Sequence, residues 1–105
     1  MLVTTTTSVE GRPVQEYLGV VNAQSIIGAN IFKDIFAGLR DVFGGRSKTY
    51  EKVLEQAKED SLLELSQNAQ ARGANAILGV DLDFETIGSG GSMLMVIATG
   101  TAVRI

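Results

Sequence analysis

The sequence predicts an α+β domain, an antiparallel sheet with helices packed on one of its faces, and three observations carry that prediction. Extended, β-branched segments occupy both ends of the chain, two helical-period segments fill its middle, and a Gly-Ser-Gly-Gly run separates the last two extended segments. With 105 residues, 45% of them hydrophobic and 20% charged, the chain has apolar material for one core and no composition break that would divide it. Residues 1–105 therefore read as a single domain.

Residues 2–7 are β-branched and threonine-rich, a short strand, and Glu10-Gly11-Arg12-Pro13 supplies the turn after it. From Val14 to Ile27, the residues Val14, Tyr17, Leu18, Val20 and Val21 fall on both faces of an extended chain, which predicts a strand buried on both sides. Asn30 can cap a helix in which Ile31, Phe32, Ile35, Phe36, Leu39, Val42 and Phe43 recur every three or four residues, and Gly44-Gly45 ends it. A second helix is expected from Lys48 to Arg72, capped by Ser47. Tyr50, Val53, Leu54, Ala57, Leu62, Leu65 and Ala69 form its apolar stripe, Lys52, Glu55, Lys58, Glu59 and Glu64 lie off it, and Arg72-Gly73 is its stop signal.

Ala76 to Ile87 alternates, with Leu78, Val80, Leu82 and Phe84 on one face and Asp81, Asp83 and Glu85 on the other. Gly88-Ser89-Gly90-Gly91 turns the chain into Met93 to Ile105, which is apolar on both faces and returns antiparallel in a hairpin. The order is β-β-α-α-β-β. Helices on one face leave the other uncovered, yet Val14–Val21 and Met93–Val103 bring apolar side chains to both. Such a patch exceeds what monomers ordinarily expose, so a homo-oligomer is expected.

Composition excludes several function classes. A net charge of −3 supplies no positive field to gather nucleic acid or anionic lipid. The amino terminus has neither a basic stretch nor a long apolar run, and no apolar segment approaches the roughly 20 residues that span a bilayer, so the expected location is the cytoplasm, away from the membrane. Cysteine and histidine are both absent. With no thiolate and no imidazole to activate a serine or threonine, no nucleophile and base pair can be assembled, and the chain reads as a non-enzyme.

The runs IIGANIFKDIFAGLRDVFGGRSKTYEKVL, ARGANAILGVDLDFETIG and GSMLMVIATGTAV, long and in this order over nearly the whole chain, closely resemble the YbjQ-like family of small prokaryotic proteins. The resemblance implies a β-α-β-β core similar to the dodecin-like architecture, assembled as a ring of five subunits with short extra strands aiding assembly. The family carries a heavy-metal-binding label but no accepted catalytic residues to transfer.

Soft and borderline metals prefer the cysteine and histidine ligands this chain lacks. The metal candidates that remain are Asp81, Asp83 and Glu85, which project from one strand face about 7 Å apart. They can bridge a hard cation, or they are simply a solvated strand face; a ring would multiply them around its axis. Gly44-Gly45-Arg46-Ser47, with Lys48 and Lys52 nearby, is either an anion site at a helix start or a tight interhelical turn. The Gly-Ala-Asn triplets at 28–30 and 73–75 read as close backbone packing. Met93 and Met95 share a strand face and read as core or subunit interface ahead of a thioether site. No motif names a cofactor. The leading expectation is a ring-forming binding or scaffold protein with any small ligand at subunit interfaces; the alternatives are hard-cation binding by clustered carboxylates and an enzyme using interfacial acids.

Overall fold

Alternating burial along Glu16–Ile27 makes strand β2, in which Val21, Ala23 and Ile27 turn inward while Val20, Asn22, Gln24 and Ile26 turn outward. In the computed structural model, which describes residues 1–28, 48–91 and 93–105, β2 shares one sheet with β1 (Leu2–Val3), β3 (Ala76–Ile87) and β4 (Met93–Arg104), in the order β1-β3-β4-β2. Helix α1 (Lys48–Ala71) lies against one face. The helix expected over Ile31–Phe43, its Asn30 cap, the Gly44-Gly45 stop and the Ser47 cap lie outside the described residues.

The sheet is mixed, which corrects the antiparallel expectation. β4 pairs antiparallel with β2 and with β3, as the hairpin signal implies, but β1 runs parallel to β3, Leu2 opposite Ala76 and Val3 opposite Ile77. The whole of β2 and α1 lies between those partners in the chain, a crossover long enough to bring a strand back parallel. β1 is also shorter than expected. Thr6 N–H and Oγ1 bond to the Thr4 hydroxyl and Thr6 Oγ1 donates to Ser8 O, local bonds that draw the backbone out of a regular ladder.

The expectation that β2 is buried on both sides also fails within the protomer. Its inner residues meet α1, whereas Val20 and Ile26 are 70% and 54% exposed on the outer face. Among the described residues, that face is covered at one end, where the segment after β1 crosses it: Val9 and Val14, with Ile105, pack on Ala76, Leu78 and Val103.

α1 buries Ala57, Ser61, Leu65 and Ala69, one residue per turn, against β2, β3 and β4. Leu65 sits among Val21, Ala23, Ala69, Ala74, Ile77, Val80, Ala98 and Ala102. Ser61 belongs to this stripe despite its hydroxyl, because Oγ donates to Val96 O at 3.2 Å. The helix closes on the expected Arg72-Gly73 signal: Gly73 takes φ +86°, its N–H bonds Gln70 O, and Ala74 N–H bonds Ala69 O, a Schellman motif. Asn75 then holds the far end of β4, its amide donating to Ile105 O and its carbonyl accepting from Ile105 N–H, both at 2.8 Å.

β3 departs from simple alternation at Gly79. The register passes from Leu78 opposite Thr101 to Asp81 opposite Thr99, so Gly79 and Val80 together face Gly100, and Gly79 adopts φ +61°. Leu78 consequently points to the outer face with Ala76 and Val103, while Ile77, Val80 and Leu82 pack beneath α1. Leu78 and Val80 do not share a face, contrary to the pattern read from sequence.

Candidate functional site

Opposed residues of an antiparallel ladder share a face, so the register assembles the outer surface row by row. Asp81 aligns with Thr99 and Asn22, Asp83 with Ile97 and Gln24, and Glu85 with Met95 and Ile26. The three acidic residues lie beyond the bulge on the exposed half of β3, as alternation predicts. Met93 and Met95 are half-buried on this same face, and Met95 lies between Ile26 and Glu85.

The structure brings Asp81 and Asp83 together. The Asp83 carboxyl is held above its ordinary value, first by the charge of Asp81, then by a hydrogen bond with Asp81, with smaller contributions from lost hydration and the charge of Glu85. Two neighbouring carboxylates resist carrying a full double charge, which favours the protonated form of Asp83. Glu85 joins through charge alone. Among the described residues no group of three Asp, Glu, His or Cys side chains converges where one ion could be held. The donor set of the chain, with neither cysteine nor histidine, does not fit a heavy metal.

Replacing Asp81 by asparagine is expected to lower the pKa of Asp83, read as a shift of its carboxyl carbon titration midpoint to lower pH by NMR. Because folding raises the pKa of Asp83, the stability it contributes is fully present below its unfolded value and is lost as pH rises through the folded value. The pair therefore opposes acid denaturation, and a midpoint unmoved in the variant would mean that the two carboxyls do not interact.

On the helix side of the sheet, Val3, Thr4, Thr5, Leu62, Val80, Asp81 and Leu82 line an open groove of about 350 Å³, beside the edge that β3 exposes once β1 ends. Sequence patterning missed it, since its walls come from three segments far apart in the chain. The glycine-rich anion candidate Gly44-Gly45-Arg46-Ser47 lies outside the described residues, and Lys52 is an exposed side chain on the first turns of α1. No helix among the described residues is long and apolar enough to cross a membrane.

Comparison with known proteins agrees with the resemblance. Two proteins called UPF0145 protein, from two strains of Caulobacter vibrioides (NA1000 / CB15N and ATCC 19089 / CIP 103742 / CB 15), are each 57% identical over 103 residues, covering 98% of this chain and of theirs. A crystal structure from Pediococcus pentosaceus, of a protein with unknown function in the DUF74 family, shares the fold with a TM-score of 0.67 at 18% identity, over 100% of this chain and 97% of that one. The family model described as "Putative heavy-metal-binding" matches residues 1–105. With that span matched end to end, this chain belongs to the YbjQ-like family.

Proposed function

We propose that this protein is a ring-forming, homo-oligomeric binding or scaffold protein of the cytoplasm, holding any small ligand between subunits and performing no catalysis of its own. The observation that carries the reading is the outer sheet face. Tyr17 and Val20, 72% and 70% exposed, stand there on the edge strand opposite Val103 and Thr101, and Ile26 stands opposite half-buried Met95. Apolar side chains grouped this way are stabilised by contact with another copy. Five subunits is the number the family resemblance implies. The absence of histidine and cysteine, and the open setting of the acidic residues, support a non-catalytic role, and the net charge of −3 supports one without nucleic acid.

Native mass spectrometry on untagged protein, purified without chelator, is expected to show a single closed oligomer, and any retained small molecule as added mass. A monomer at micromolar concentration would overturn the reading. The closeness of Asp81 and Asp83 favours a second reading, in which the ring holds a hard cation. Calcium or manganese retained through gel filtration, and released by the Asp81→Asn and Asp83→Asn substitutions, would support it; unchanged cation affinity in both variants removes it.

A further inference from the structure

Among the described residues, two long strands of the sheet have backbone groups on one side with no partner. Among the described residues, β2 bonds only to β4, and β3 is bonded on its other side only as far as Val80, through β1 and the bonds from Val80 N–H to Thr4 O and from Gly79 N–H to Thr6 O. From Asp81 to Ile87 nothing among the described residues pairs with that side of β3. An open edge is a template for another strand, and the two edges match. β2 runs regularly from Val20 to Ile27 once past its irregularity at Tyr17–Gly19, where Gly19 takes φ +99°. β3 runs regularly from Asp81 to Ile87 once past its own bulge.

Their side chains are complementary as well. Both strands are antiparallel to β4, so they point the same way, and a ring rotation about an axis lying along the strands preserves that direction. In the register that sets Asn22 of one copy beside Asp81 of the next, Gln24 falls beside Asp83, because both pairs are two residues apart and all four side chains are on the outer face. Amide N–H donors then meet the two carboxylates that repel each other in the isolated chain. On the helix side the same register lays Ala23 and Ser25 beside Leu82 and Phe84, covering a phenyl ring that is otherwise 51% exposed.

Resting on the ring reading above, we propose that copies join edge to edge, β2 of one subunit extending the sheet of the next alongside Asp81–Ile87, with Asn22 and Gln24 donating to Asp81 and Asp83. Pairing β3 with a second β3 sets acidic side chains against each other and is disfavoured, so the contact is heterologous, the kind that closes rings.

The test is a charge swap at two exposed positions, Gln24→Glu alone and combined with Asp83→Lys, with the size of the native protein and both variants followed by light scattering over a dilution series. Circular dichroism confirms that each variant keeps its fold. Gln24→Glu places a third carboxylate in the contact and is expected to raise the dissociation concentration about tenfold or more, and Asp83→Lys to restore assembly. A Gln24→Glu protein that assembles like the parent overturns this contact while leaving the ring reading standing. Loss of assembly without restoration also overturns it, because Gln24 then faces a surface other than Asp83. A monomeric native protein removes the ring reading itself.

Discussion

Replacing Leu65 with alanine is expected to lower the unfolding free energy by about 2–5 kcal/mol, toward the upper end of that range. Leu65 is fully buried, and its surroundings decide the size of the loss: Ala23, Ala69, Ala74, Ala98 and Ala102 are already minimal, and several of them sit on strands held in register. Neighbours without long side chains cannot swing into a cavity, so most of the vacated volume stays empty. Leu65→Met keeps the volume and is expected to cost less than about 1.5 kcal/mol. Urea denaturation at one fixed protein concentration separates the two, since an oligomer's stability depends on concentration. A Leu65→Ala loss below about 1 kcal/mol would mean that α1 does not seat on the sheet as described.

The second large effect is expected at Gly100, in the central strand directly across from the bulge. A Cβ there would stand 2.6 Å from Ile77 Cγ2, 3.2 Å from Val80 Cγ2 and 3.3 Å from Leu78 O. None of these is the end of a flexible side chain: Ile77 and Val80 are β-branched and stiff at χ1, and the third atom is backbone. Gly100→Ala is therefore expected to destabilise by about 1–3 kcal/mol, although alanine is ordinarily the better strand residue. Removing the obstructing methyl with Ile77→Ala makes the cost of Gly100→Ala smaller, so the double variant should be less destabilised than the sum of the singles. Strict additivity in denaturant melts would place the strain elsewhere.

Much of this fold is legible because local rules and packing agree. Ala57, Leu65 and Ala69 recur with helical spacing and the chain stops at Gly73; Gly88–Gly91 joins β3 to β4, with Gly90 at φ +67°. Ser61 escaped the pattern since a hydroxyl does not register as core until its acceptor, Val96 O, is known. The parallel pairing of Leu2 with Ala76 escaped because it depends on residues far apart in the chain. At the candidate site, alternation placed Asp81, Asp83 and Glu85 on one exposed face. Regular strand spacing set Asp81 and Asp83 about 7 Å apart and did not foresee that their carboxyls interact. Open edges have no hydropathy signature at all, since what is unpaired there is backbone.

The irregular step at Gly79 shifts the phase of β3. Counted without it, Ile77 and Asp81 would lie on the same side, and the covering helix would sit over three carboxylates while Val80, Leu82 and Phe84 faced water. The extra residue uncouples the two halves of the strand, so that Ala76 and Leu78 answer to the crossing segment above the sheet and Val80 and Leu82 to the helix below. A shortening of this strand by one residue at Gly79 is accordingly silent in its facing pattern, whereas a shortening by one anywhere between Asp81 and Glu85 inverts all that follows.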